Sequence, residues 1–321
     1  MLSGGVGGSR FIEGLLRTTD PDDDVTVIAN TADDISLFGL RISPDLDTVM
    51  YTLGNGIDRE RGWGRTHESW AAKGELEAYG IEQAWFGLGD RDIATHLVRT
   101  MRLQEGRTLS EVTAELCERW KPGVHLLPMT DNRVETHIGI DRDGRRELIH
   151  FQEYWIRLRA GVPVREVVVQ GIEDAAPAPG VVEAITDADV VLLPPSNPVV
   201  SIGPIASVPG IRSAIAATTA PVVGVSPIIG AGAVRGMADQ LLTGLGVEIS
   251  ALGVARHHGA RAAGGLLDGW LVDTADAGQV DAVEALGITG RAVPLWMNDD
   301  ATTDQLARDT LDLALTLRGH R

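Results

Sequence analysis

Cysteine is almost missing from this chain of 321 residues; Cys117 is the one. An intrachain disulfide is therefore excluded. Cys117 lies in LSEVTAELCERW, a helical pattern, so it reads as a buried structural thiol and not a nucleophile. A reducing, cytoplasmic setting fits this usage. Lysine is nearly absent too, with only Lys73 and Lys121, and the formal net charge is −17. Binding to bulk nucleic acid needs basic surface and is not expected. No apolar run reaches about 18 residues, so no membrane span is expected. The first residues show no basic segment followed by an apolar stretch, so no secretory signal is expected. HEXXH, CXXC and GXSXG are absent, which argues against a zinc peptidase and a nucleophile-elbow hydrolase. His257-His258 has no third ligand at metal spacing and reads as a surface or cleft feature. No internal repeat or long linker interrupts the chain.

What is present is alternation. VTVIAN (25–30), VREVVVQGI (164–172), ADVVLLP (188–194), APVVGVSP (220–227), VEISALGVA (247–255) and GWLVDT (269–274) read as strands. Helical stretches are predicted at 234–245, 260–267, 279–286 and 302–319. Such alternation implies an α/β fold, Rossmann-like, with a mostly parallel sheet and helices on both faces. From about 58 to 122 the pattern turns helical. ATHLVRTMRL (94–103) is one helix, and TLSE (108–111) is a capping box opening another. Residues 134–151 read as a hairpin turning at Asp143-Gly144. The expectation is a single domain over 1–321, with the helical insertion capping the site.

Ligands of open parallel sheets sit beyond the carboxyl ends of the strands. The loops there are SGGVGGSR, NTADD, PPSNPVVSIGP and SPIIGAGAV. The first opens a helix, and backbone N–H groups at such a turn hold phosphate. Its spacing matches neither GxxxxGK[ST] nor a clean GxGxxG. No lysine follows, so Arg10 is the cation on hand. The amide of Asn197, before a proline, could read a base edge or bridge to a phosphate; the same string also makes an ordinary turn. Acidic residues gather in the first third: Asp33 and Asp34, then Asp45 and Asp47 in PDLDT, then Asp90 and Asp92 around Arg91. Mg²⁺ is commonly held by one or two carboxylates plus substrate phosphates. Asp45 and Asp47 could do this, or could simply favour a helix start after Pro44, where they would splay.

Together, SGGVGGSR, NTADD, SPDLDTVMY, GLGDRDIATHLVRT, LLPMTDNRVETHI, HFQEYWIR, PPSNPVVSIGPI and GVSPIIG resemble the 2-phospho-L-lactate transferase family, called CofD in archaea and FbiA in actinobacteria. The resemblance runs from Ser3 to about Asp299. It implies a Mg²⁺-using Rossmann-type homodimer in coenzyme F420 biosynthesis. Such an enzyme moves a phospholactyl or enolpyruvyl-phosphate group from a guanosine-diphosphate-linked donor to the terminal hydroxyl of the deazaflavin Fo and releases GMP. By this likeness the nucleotide contacts fall on Gly4, Gly5, Gly7, Gly8, Ser196, Asn197, Gly203 and Ser226, with Arg10 beside them. Asp45 is the expected metal ligand, seconded by Asp47, and a carboxylate there could also accept the hydroxyl proton. Asp34, Asp90 and Arg91 are expected to shape the Fo pocket. GGVGGSR and the arginine-rich composition resemble the actinobacterial branch, which favours the enolpyruvyl donor. The alternative is a YvcK-like nucleotide-sugar-binding regulator of the same fold, against which GDRDIATH and HFQEYWIR weigh. An ordinary dinucleotide oxidoreductase would want an acidic residue closing the second strand, where Asn30 stands. Only Met1, Leu2 and Ser3 precede the glycine loop, so either the first strand is unusually short or residues lie upstream.

Overall fold

A computed structural model describes residues 1–234 and 236–319. Two parallel sheets form its frame. The first has the order Leu2–Ser3, Thr26–Ala29, His125–Pro128. The second has the order Thr289–Ala292, Gly269–Val272, Val222–Val225, Val191–Leu193. Val222–Val225 is buried along its whole length, as an apolar run in a parallel sheet requires. Its residues serve two cores. Val223 and Val225 join Phe11, Leu271, Leu306 and Leu313 on one face. Val222 joins Ile205, Ile215, Leu241 and Trp270 on the other. Helix Val6–Thr18 packs on helix Asp300–Gly319 over the first of these faces. Helices Pro44–Leu53 and Leu109–Trp120 cover the three-stranded sheet through Val49, Met50, Val112 and Leu116. The Rossmann-like α/β architecture expected from the alternation is what the chain adopts.

The first strand is two residues long. It pairs with Thr26–Ala29 and lies beside Val191–Leu193. This brings the loops after residues 3 and 193 together, and the Gly4 N–H donates to Ser196 Oγ at 3.0 Å. The insertion is helical as expected, with Ala71–Ala78, Asp90–Gln104 and Leu109–Trp120. Thr108 and Glu111 close the capping box reciprocally. The hairpin pairs Glu135–Arg142 with Arg145–His150, and Asp143 and Gly144 both take positive φ, as a tight two-residue turn demands.

Three expectations need correction. The strand in VREVVVQGI, Glu166–Gln170, does not join the parallel sheet; it pairs antiparallel with Glu135–Arg142. A β-branched run marks a strand and says nothing of which partner it finds. VEISALGVA is not a strand: Ser250 caps Gly253 N–H at 2.9 Å, and helix Ala251–His258 follows. Residues 260–267 are not a helix beyond the short turn Arg261–Ala263. There Gly265 lies so close to Gly259 that a Cβ would stand 2.3 Å from a backbone carbon. The helix expected over 234–245 is Ala238–Gly244, and Arg235 lies outside the described residues. No described helix is long and apolar enough to cross a membrane by itself.

Candidate active site

A cavity of about 950 Å³ opens where the carboxyl ends of both sheets converge. Gly4 and Gly5, Asp33, Pro195 to Asn197, Ser226, and Leu295 to Asn298 line it, each from a loop that leaves a parallel strand. The insertion supplies the facing wall with Arg61, Trp63, Phe86, Asp92 and His96.

The glycine loop is built for close approach. Helix Val6–Thr18 starts after Gly5 with no side-chain cap and no acidic residue in its first turn. Gly4 N–H serves Ser196 and the Gly5 backbone serves Asp45, while the N–H groups of the helix's own first turn have no side-chain partner. A Cβ on Gly5 would lie 2.6 Å from Asp45 Oδ1, and one on Gly7 would lie 2.4 Å from the Pro195 carbonyl oxygen. Neither position admits a side chain without moving a partner. Gly8 faces inward, against Ser3 and Ser196, and is not on the cavity wall. Arg10 is, with Asp299 close enough to feel its charge.

Pro44 opens helix Pro44–Leu53, and the two acidic residues of its first turn do splay. Asp45 turns to the glycine loop, where Asn30 Nδ2 donates to its Oδ2 at 3.0 Å. Burial pushes its carboxyl up to about 6 against the pull of Asn30 and the Gly5 backbone. Beside it stands Asp33, buried, with Oδ1 lacking any hydrogen-bond partner. Burial, then the Asp45 and Asp34 charges, raise the Asp33 carboxyl well above its ordinary range. Two neighbouring carboxylates, buried Asp33 with an orphaned oxygen and partly buried Asp45, are a donor set that fits a hard divalent cation completing its shell with phosphate and water. Among the described residues no group of three or more His, Cys, Asp or Glu could hold a metal by itself.

Asp47 has a different partner. It takes both guanidinium nitrogens of buried Arg99, with Nη1 at 3.1 Å from Oδ2. Arg99 Nη1 also reaches His96 Nδ1 at 3.3 Å, and His96 Nε2 faces Asp92 Oδ2 at 3.4 Å. Tyr51 donates its hydroxyl to Asp92 Oδ1 at 2.7 Å. Burial works to raise the Asp92 carboxyl, but His96, Tyr51 and Arg99 outweigh it and hold the group below the usual carboxylate range.

Of the other expected residues, Ser196, Asn197 and Ser226 line the cavity. Asn197 Oδ1 caps Val199 and Val200 N–H at 2.9 and 3.2 Å, which leaves its NH₂ to face a ligand. Ser226 Oγ is engaged with Ile228, donating to its carbonyl and accepting from its N–H. Gly203 sits outside the wall, where a Cβ would press on the Pro198 carbonyl at 3.0 Å. Asp34 lies behind the wall, taking Ser43 Oγ at 2.7 Å and Arg41 at 3.2 Å. Burial pushes it up to about 6. Asp90 caps the start of helix Ala71–Ala78, accepting from Ser69 Oγ and from Ala71 and Ala72 N–H, and Arg91 is exposed. His257 is exposed, but His258 is buried against Trp270, so that half of the pair is a core residue. Cys117 is partly buried, its thiol pushed up to about 11 by burial, which keeps it inert.

Sequence reasoning did not single out Tyr51, His96 or the cavity tryptophans. The chain has 14 aromatic residues of the Phe, Trp and Tyr types, and six of them, Tyr51, Trp63, Phe86, Phe151, Trp155 and Trp296, line this one cavity. In a chain so poor in aromatics that concentration points to a flat, apolar ligand surface.

The model of the family described as 2-phospho-L-lactate transferase CofD matches residues 1–293. The chain belongs to the CofD family. It is 60% identical over 318 residues to the phosphoenolpyruvate transferase of Streptomyces coelicolor, covering 99% of this chain and 98% of that protein. Identity to the phosphoenolpyruvate transferase of Thermobifida fusca is 55%, with 99% and 98% covered. A crystal structure of a UPF0052 family member from Bacillus halodurans superposes with TM-score 0.67 over 97% of both chains at 18% identity, a likeness of fold alone. This CofD-family chain is thus a transferase, and its fold is that of its structural neighbours.

Proposed function

We propose that this CofD-family transferase moves an enolpyruvyl-phosphate group, or its 2-phospho-L-lactate counterpart, from a guanosine-diphosphate-linked donor to the terminal hydroxyl of the deazaflavin Fo. The observation that carries the reading is the division of the cavity. One end holds the start of helix Val6–Thr18, Arg10 and the Asp33–Asp45 pair; the facing wall holds Trp63 and Phe86. A diphosphate suits the first and a planar ring the second.

In the reaction the acceptor oxygen bonds to the donor's β-phosphorus and gives its proton to a carboxylate of the Asp33–Asp45 pair, the bridging P–O bond breaks, and GMP leaves with the electron pair. Such transfer depends on positioning and on neutralising charge at the phosphoryl oxygens. The N–H groups opening helix Val6–Thr18 hold the phosphates and fix the line of attack. Arg10 adds positive charge. The Asn197 NH₂ is suited to the base edge. Asp45, with Asp33, would hold Mg²⁺, which supplies charge neutralisation to the diphosphate when bound. Trp63 and Phe86 exclude water around the acceptor ring. The enolpyruvyl form is preferred because relatives at 60% identity carry the name phosphoenolpyruvate transferase.

The test is direct. Purified protein with Fo, Mg²⁺ and each of the two donors should release GMP and form a new deazaflavin product, faster with the enolpyruvyl donor. No product with either donor, together with tight binding of a UDP-sugar, would replace this reading with that of a nucleotide-sugar-binding regulator. Sedimentation of the same sample measures whether the protein is the homodimer this reading includes.

A further inference from the structure

GDRDIATH was expected to act through Asp90 and Arg91, yet neither lines the cavity, while Asp92 and His96 both do. Their wiring is specific. An arginine can only donate, so the 3.3 Å approach of Arg99 Nη1 to His96 Nδ1 makes Nδ1 an acceptor. In the neutral ring the hydrogen then sits on Nε2, with Asp92 Oδ2 3.4 Å away but not in hydrogen-bond geometry. Nε2 is buried and has no hydrogen-bond partner as it stands. Tyr51 fixes the other oxygen at 2.7 Å. The Asp92 side chain keeps 14% of its surface open, and each of its oxygens has accepting capacity left over.

Position decides what this group can touch. Asp45, Thr48 and Tyr51 line the cavity at i, i+3 and i+6 of one helix. At 1.5 Å per residue, Tyr51 is about 9 Å along the axis from Asp45. Asp92 meets the Tyr51 hydroxyl and faces His96, whereas Asp45 meets Asn30 and the glycine loop, so the two carboxylates serve different stretches of the cavity. It is placed for a part of the acceptor that does not react.

We propose that Asp92, aimed by Tyr51 with His96 beside it, docks a secondary hydroxyl of the acceptor's side chain and so selects polyhydroxylated acceptors. This rests on the proposed transfer to Fo. The experiment compares Fo with a deazaflavin whose side chain is a plain alkyl ending in one hydroxyl. The wild type is expected to prefer Fo in kcat/KM by roughly tenfold or more, the scale of a hydrogen bond to a charged group. In Asp92→Asn that preference should fall below about threefold, with KM for the donor unchanged. Tyr51→Phe, which keeps the ring in the core, should move the preference the same way by less. An equal loss on both acceptors, or an unchanged preference in both variants, overturns the proposal. Wild-type protein that transfers to neither acceptor overturns it as well, and that result is recognisable as failure of the underlying reading because no variant is needed to see it.

Discussion

Two pairs of aspartates share one cavity and live differently. Buried Asp33 and partly buried Asp45 stand beside one another, the first with an oxygen that lacks a hydrogen-bond partner and the second steadied by an asparagine amide. Asp47 and Asp92, the second pair, come with their own compensation in Arg99, His96 and Tyr51. Burial raises the first pair; neighbours hold Asp92 down. The first pair has a charge for something to bring; the second is a finished piece of wall. The identity of the residue is the same in all four, so the role is set by what the fold places within 3 to 4 Å of it.

The largest effect that separates the two pairs is on turnover. Asp45→Asn should lower transfer on the order of a hundredfold or more, since several kcal/mol of charge stabilisation go with a lost cation site. Calorimetric titration with Mg²⁺ and GDP should show the cation's affinity lost as well. Near-normal turnover would merge the two pairs into one class. Next comes stability. Asp47→Ala strands Arg99 as a buried, unpaired charge and should cost about 3–5 kcal/mol in denaturant unfolding. Asp45→Asn should cost little or nothing in the metal-free protein.

A third, smaller effect has a sign fixed by pH. Asp45, ordinarily at 3.8, is pushed up to about 6, so the folded state keeps its proton longer than the unfolded chain. Its contribution is whole below about 4 and is lost as pH rises through 6. Metal-free wild type should therefore lose more stability than Asp45→Asn between pH 5 and pH 8, by roughly the effect of one group. Partly buried His150 and buried His258, pushed down to about 4 and about 3, act oppositely. Their contribution is whole above 6.5 and drains as pH falls toward those values, equally in both proteins, so the difference reports Asp45 together with its coupling to Asp33. Smallest of all, Asp90→Ala and Arg91→Ala should leave kcat and KM within about twofold, because neither side chain lines the cavity.

Much of this was legible before the structure. The glycine loop, the PDLDT helix start and PPSNP carry patterns that local chemistry enforces, and all three reach the cavity. Asp33 and Asp34 show where legibility ended. Adjacent residues leave an extended segment on opposite sides, and only the Arg41–Asp34 and Ser43–Asp34 contacts reveal that Asp34 turns inward. GDRD failed similarly: at a helix start, Asp90 turns outward to cap while Asp92 turns into the wall. The strand expected in VEISALGVA was lost to a serine cap that a propensity reading underweights.

The bond from Gly4 to Ser196 joins positions 192 residues apart. Leu295 to Asn298 complete the same cavity. During synthesis, then, the nucleotide end has no second wall until the chain has grown past Ser196, and the cavity stays open-sided until residue 298 is made. Ligand cannot chaperone the early chain; it can only reward a fold already closed.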